Sequence, residues 1–254
     1  DQILAPGGAL EGALQAKKEG RIHHLGISMH GQADVLIRAL KEYPFEAVMT
    51  TINYYDHFNF PEIQEVLLPL AHTNNTAIIL MKPVADGLLW RSASQAFRYA
   101  FSQPVSIVVA GINNRELLEM DLRYANEFKL MSEEEMEDIY TNAPELGTYV
   151  CRQCGKCMVC PENIPLTDIF LYEGYFDRQM ADGIVSNASD YALKERLRFW
   201  FGNRDMAMNL YSKLKVKADS CTDCGKCTPE CPYNIDVRRK LAIADYKLAQ
   251  KDIY

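Results

Sequence analysis

All eight cysteines of this 254-residue chain fall in two short runs. They are Cys151-Arg152-Gln153-Cys154-Gly155-Lys156-Cys157-Met158-Val159-Cys160-Pro161 and Cys221-Thr222-Asp223-Cys224-Gly225-Lys226-Cys227-Thr228-Pro229-Glu230-Cys231-Pro232. Two-residue gaps put three thiols in one tight loop, too close for a spread disulfide framework and suited to metal. A cube of iron and sulfide needs four thiolates converging from different directions, and such a loop supplies three of them. Structural zinc and disulfides are the weaker readings of the same spacing, because the runs come in tandem and each is closed by a proline. Gly155 and Gly225 permit the turn and leave room for amide donors to sulfur. Lys156 and Lys226 either raise a cluster's potential or are plain solvated charges.

The second run has the C-x2-C-x2-C-x3-C-P spacing and resembles bacterial-type ferredoxins; the first is one residue shorter before its last cysteine. In that resemblance the fourth thiolate crosses to the neighbouring cube. The implied ligand sets are Cys151, Cys154, Cys157 and Cys231 for one 4Fe-4S cluster and Cys221, Cys224, Cys227 and Cys160 for the other. The 60 residues between the runs, 161–220, exceed what a compact two-cluster ferredoxin carries. Their patterning is helical, at 166–173, 190–200 and 204–214, with a further amphipathic helix at 241–248. This stretch, 149–254, reads as a helical ferredoxin-like domain, with Phe199-Trp200-Phe201 as core bulk.

The rest of the chain alternates. Residues 9–20 form a helix with a basic last turn and a glycine stop, 22–28 a strand and 32–41 a helix. Strands follow at 45–55, 76–82 and 105–110, and helices at 61–72 and 92–102. A fifth helix opens at Asn113-Asn114-Arg115-Glu116, which reads as a capping box on Asn113. Apolar strands in series with helices predict a parallel α/β sheet or barrel with strands covered on both faces. Four strand-helix units are half of a (β/α)8 TIM barrel, whose active sites lie at the strands' C-terminal ends. Those ends carry Ser28-Met29-His30, Asn53-Tyr54-Tyr55, Met81-Lys82-Pro83 and Gly111 to Arg115. A glycine before a helix N-terminus with an arginine alongside is a physical anion site, or an ordinary capped helix. His23, His24 and His72 read as surface or helix-end groups; His30 and His57 lie on the presumed active face.

Residues 16–28 (Ala-Lys-Lys-Glu-Gly-Arg-Ile-His-His-Leu-Gly-Ile-Ser), Met81-Lys82-Pro83 and 109–119 (Val-Ala-Gly-Ile-Asn-Asn-Arg-Glu-Leu-Leu-Glu) resemble the second half of an aldo/keto reductase barrel. With the cysteine runs, the likeness is to that family's ferredoxin-linked members and covers nearly the whole chain. It implies residues 1–128 as the half barrel, 129–148 as a linking helix and turn opened by Ser132, and NADP(H) as a cofactor. Ser28 falls where the family contacts the nicotinamide carboxamide, Thr51 and Lys82 where residues line the nicotinamide, and Gly111, Asn113, Asn114 and Arg115 where the adenosine phosphate is gripped. Met29, Thr51 and Lys82 depart from the family's usual Asn, Gln and aromatic residue. A cationic Lys82 cannot stack, though it can donate to a phosphate, a flavin or a substrate oxygen. The family's catalytic Asp, Tyr, Lys and His come from the barrel's first half, so no catalytic residue is assigned here.

A hydrophobic content of 48% supports a full core, and a formal net charge of -7 argues against nucleic acid or an anionic membrane as partner. No apolar stretch approaches the roughly 18 residues of a membrane span, and the N-terminus lacks a signal-peptide pattern, so a cytoplasmic setting is expected. The sequence starts at Asp1 in what reads as the end of a loop, which predicts the C-terminal part of a longer product. The expectation is an iron-sulfur oxidoreductase with a small-molecule substrate, an external one-electron donor or acceptor, and a missing half barrel in the same or another chain. The alternative is an electron-transfer or docking subunit without catalysis of its own.

Overall fold

The computed structural model describes residues 2–30, 33–112, 114–180 and 204–250. The chain divides into two compact units, Asp1–Pro83 with Ser94–Leu130, and Val84–Ala93 with Met131–Tyr254.

The first unit is α/β. Strands β1 (Gly26–Met29), β2 (Ala47–Thr51), β3 (Ala77–Met81) and β4 (Ile107–Val109) form one sheet in the order β1-β2-β3-β4. Every neighbouring pair is parallel, with Ser28 opposite Met49 and Thr51 opposite Met81. Parallel neighbours need crossover connections, and the amphipathic segments between the strands supply them. Helix α1 (Ala9–Lys18) precedes the sheet and ends at Gly20, whose φ of 71° lies in the left-handed region that glycine adopts freely. Helix α2 (Ala33–Glu42) buries Leu36, Ala39 and Leu40, the i, i+3, i+4 stripe of a core-facing helix. A π-helical turn at Ile63–Leu67 runs into α3 (Leu68–Thr73), and α4 (Ala93–Phe101) buries Ala96, Phe97, Tyr99 and Ala100. Leu36, Leu67 and Leu80 are fully buried, each contributing about 1.5–3 kcal/mol by leaving water.

Burial of the strands corrects one expectation. In β2 and β3, Val48, Thr50, Ile78 and Leu80 are buried, while Ala47, Met49, Ile79 and Met81 on the opposite face are half-buried. β1 and β4 contain no buried residue, and Ile107 is 54% exposed. Among the described residues one face of the central strands is thus fully buried and the other half-buried apart from the buried Thr51, and β1 and β4 are edges with one neighbour each.

Helix α5 (Arg115–Glu127) closes this unit. Its N-cap is Asn114, whose side chain accepts from the Leu117 amide at 2.8 Å, a one-sided cap in place of the expected box on Asn113 and Glu116. The expected box at Ser132 and Glu135 is present in full at the start of α6 (Glu133–Asn142).

The second unit is helical. After α6 come α7 (Leu166–Met180), α8 (Arg204–Ser212) and α9 (Val237–Leu248), with α7 packed on both α8 and α9. The helix expected at 190–200 and the aromatic run at Phe199 lie outside the described residues. No helix among the described residues is long and apolar enough to cross a membrane.

Candidate metal centre

The two cysteine runs fold alike. Gln153 and Gly155 in the first and Asp223 and Gly225 in the second all adopt φ between 54° and 73°. Two left-handed residues flanking the second cysteine of each run wrap the loop around its thiols. The likeness continues past the runs. Cys160-Pro161-Glu162-Asn163-Ile164 and Cys231-Pro232-Tyr233-Asn234-Ile235 each turn on an asparagine at φ 54° or 57°, whose amide donates to the cysteine carbonyl three residues back. A helix begins two residues after each isoleucine, α7 at Leu166 and α9 at Val237. Asp236 caps α9 by accepting from the Arg239 amide.

This repeat exchanges the last cysteine of each run. Cys151, Cys154 and Cys157 line one cavity together with Cys231 of the second run; Phe170, Tyr233, Ile235 and Val237 complete its mainly apolar wall. Burial, then the nearby Cys151, Cys231 and Cys154, pushes the Cys157 thiol up to about 12. Around Cys227 the neighbouring thiols are Cys221, Cys160 and Cys224, which add to burial in raising it. Two sets of four thiols thus result, each with one member from the other run. Cys157 and Cys227 are buried, Cys151, Cys160 and Cys231 half-buried, and Cys154, Cys221 and Cys224 exposed. All eight are free of disulfides. Among the described residues no three His, Cys, Asp or Glu side chains converge tightly enough for a single metal ion. The first donor set fits a polynuclear group: soft thiols spread around a cavity, with the Gln153 amide donating to Cys151 Sγ at 3.4 Å.

Charged residues that the spacing did not single out surround the first set. Arg152 is 9% exposed and donates to the carbonyls of Tyr140, Gly147 and Val150, with its guanidinium 4.8 Å from the Tyr233 ring centroid. Glu173 is fully buried. Lys240 Nζ lies 2.6 Å from one of its oxygens and Lys247 Nζ 3.3 Å from the other. Tyr149 donates to Glu173 at 3.1 Å and accepts from Lys247 at 2.6 Å. The Lys240 ammonium also sits 4.1 Å from the Tyr149 ring centroid. Burial raises the Cys151 thiol, while the Lys240 charge pulls it down.

In the first unit the expected cofactor residues stand at the ends of adjacent strands, with unequal surroundings. Ser28 is exposed at the end of β1. Thr51 is 1% exposed at the end of β2, and its hydroxyl and that of Thr50 make no hydrogen bond among the described residues. Lys82 follows β3 at φ 61°, an unusual conformation for lysine, and its carbonyl accepts from Asn53 at 3.1 Å. Asn53, itself buried, also donates to Asp56 at 2.9 Å and accepts from the Asp56 amide, tying the ends of β2 and β3 together. Gly111 is exposed with open space where a side chain would stand, Asn114 is engaged in its cap, and Arg115 pairs with Glu119 at 2.8 Å. Asn113 lies outside the described residues. His57 bonds Gln64, which donates to Tyr99 at 2.6 Å, so it is held in a polar network of this unit.

No family model matches the chain, and no solved structure matches it. Over 99 residues, 39% of the chain, it is 31% identical to the pyruvate-flavodoxin oxidoreductase of Trichormus variabilis. The chain spans 7% of that relative's length.

Proposed function

We propose that the chain is an iron-sulfur oxidoreductase of aldo/keto reductase type, with a ferredoxin-like helical lobe and a half barrel. The observation that carries the iron-sulfur part is the exchange of Cys160 and Cys231 between the two cysteine loops, which leaves four thiols around each of two centres. Thiols spread around an apolar cavity suit a cluster better than a single zinc ion, which needs its four ligands drawn to one point. Likeness over part of the chain to a protein named as an oxidoreductase supports a redox role.

Cys151, Cys154, Cys157 and Cys231 would hold one 4Fe-4S cluster and Cys221, Cys224, Cys227 and Cys160 the other. When bound, the clusters supply single-electron exchange with an external carrier. The chain's own residues do the rest. The left-handed turns at Gln153 and Asp223 aim thiols and amides inward, and Phe170, Ile235 and Val237 keep water from the first centre. At the strand ends, the Thr51 hydroxyl is buried with no hydrogen-bond partner among the described residues, and the Lys82 backbone is fixed by Asn53. These are the positions that Ser28, Thr51, Lys82 and Gly111 to Arg115 would use toward NADP(H), with a small carbonyl or alcohol compound as substrate. In this reading the open edges of β1 and β4 are covered by the other half of a barrel.

The uncovered β4 edge also favours a second reading, in which the half sheet is a docking platform for a partner chain and the lobe only relays electrons. Anaerobic purification with iron and sulfide analysis tests the first part, and eight of each per chain is expected. Equilibrium binding and oxidation of NADPH separate the two readings. A chain that carries the clusters but neither binds nor oxidises NADPH is a relay.

A further inference from the structure

The two thiol sets are related by the repeat, but their charges are not. Among the described residues of the second unit, the buried charged side chains are Arg152, Glu173 and Lys240. All three belong to the surroundings of Cys151, Cys154, Cys157 and Cys231. Arg152 follows the first thiol of that set directly. Lys240 lies on α9 one turn after Val237, which lines the same cavity. Arg152 and Lys240 are cationic and Glu173 anionic, so these buried side chains carry one positive charge in excess, and the half-buried Lys247 also approaches Glu173.

Aligned on the cysteines, the repeat puts uncharged residues at every corresponding position of the other set. Thr222 answers Arg152, Ile169 answers Lys240, Ala244 answers Glu173 and Phe176 answers Lys247. The arginine near the second loop, Arg238, sits 2.5 Å from Asp223 at an exposed position, a pair with no net charge. Lys156 and Lys226 occupy the same place in both loops and cancel in the comparison.

We infer that Arg152 and the Lys240-Glu173-Lys247 trio make the cluster of Cys151, Cys154, Cys157 and Cys231 the electron-holding member of the pair. The inference rests on the two-cluster reading above. An excess of buried positive charge stabilises the more negative, reduced state, and its influence is strong because little water intervenes. An external one-electron carrier gives up one electron and the cluster beside Lys240 takes it, with no bond made or broken. At partial reduction the electron rests there rather than on the cluster of Cys221, Cys224, Cys227 and Cys160.

The test is a mediated redox titration of the anaerobically purified chain, followed by electron paramagnetic resonance, on wild type, Lys240→Met and Glu173→Gln. Lys240→Met leaves Glu173 paired with Lys247 and removes one positive charge. Glu173→Gln adds one. The higher of the two reduction steps is expected to fall in Lys240→Met and rise in Glu173→Gln, each by about tenfold in the equilibrium constant, or about 59 mV for one electron. The lower step stays in place, and the double variant returns toward wild type. Shifts of equal size in both steps, shifts in the lower step alone, or no shift overturn the inference. A purely structural role would move both variants in the same direction, and the opposite signs exclude it. Iron and sulfide content is measured on the same samples, so a wild-type chain without them defeats the cluster reading itself and is recognised as such.

Discussion

Tyr211 offers a test of how the helices hold the second cysteine run. Its side chain is 1% exposed on α8; the hydroxyl donates to Asp245 on α9 at 2.6 Å and accepts from the Ala218 amide at 3.1 Å. Ala218 opens the short 3-10 turn Ala218–Ser220 that delivers Cys221. Tyr211→Phe keeps the ring and opens no cavity, so what it removes is polar. A hydrogen bond to a charged acceptor contributes about 1.5–3 kcal/mol, and leaving a buried amide unsatisfied costs about 1–3 kcal/mol. Asp245 is half-buried and regains water, which pulls the sum to the lower end, about 3 kcal/mol. For a cooperative unit of this size that is a fall of about 10 °C in Tm, readable by far-UV circular dichroism of the anaerobic protein. The pH dependence adds a second readout. Burial and the Asp245 bond push the Tyr211 phenol above its ordinary 10.0. A raised acid stabilises the fold fully below pH 10 and loses that contribution as pH rises through the folded value. Tyr211→Phe therefore flattens alkaline unfolding above pH 10. A Tm change below about 2 °C with an unaltered alkaline limb would refute the account of this contact.

Other outcomes follow from the same geometry. Chelating iron under reducing conditions should unfold the cysteine-bearing unit, because ligand binding there is folding free energy; the helical circular dichroism signal and resistance to trypsin across 149–250 report it. Asn53→Ala removes the bridge from β2 to Lys82 and Asp56 and is expected to cost about 2–3 kcal/mol in urea unfolding. Lys82→Gly relieves a left-handed lysine and should stabilise the first unit by about 1 kcal/mol while weakening any NADPH binding, which fluorescence titration measures. Hydrogen bonds from His24 and Lys17 lower Glu46 to about 2, so its contribution is present above pH 4.5 and fades as pH falls toward 2. Glu46→Gln should remove that acid-side slope, as followed by nuclear magnetic resonance.

Much of this architecture is legible because it is local. Alternation of apolar strands and amphipathic helices announces the parallel sheet, and the box at Ser132 and Glu135 is four residues wide. Strand length is less legible. The apolar pattern runs from Ile22, but the ladder forms only over Gly26–Met29, because β1 is an edge with one neighbour. At Asn113-Asn114 two adjacent residues offer the same cap, and composition cannot choose between them. The Glu173 network is harder still, since Tyr149 and Lys247 stand 98 residues apart. One signal did exist: Glu173 completes the i, i+3, i+4, i+7 stripe begun by Leu166, Ile169 and Phe170, and a carboxylate on a buried stripe demands a cation.

The one-residue difference between the cysteine runs becomes intelligible against the repeat. In the longer run, Thr228-Pro229-Glu230 forms a 3-10 turn before Cys231. In the shorter one, the Met158 amide donates to the Gly155 carbonyl and the Val159 amide to the Cys157 carbonyl, a tighter path to Cys160. Both paths then enter the same Cys-Pro-x-Asn turn at the same backbone conformation. The missing residue is therefore absorbed before the exchanged cysteine rather than passed on to it, and Cys160 remains beside Cys221, Cys224 and Cys227. What spacing counts as a departure from the ferredoxin pattern, the fold treats as a change of loop within an unchanged set of thiols. The proposed difference between the two centres would then come from the side chains that differ across the repeat, Arg152 against Thr222 and Lys240 against Ile169.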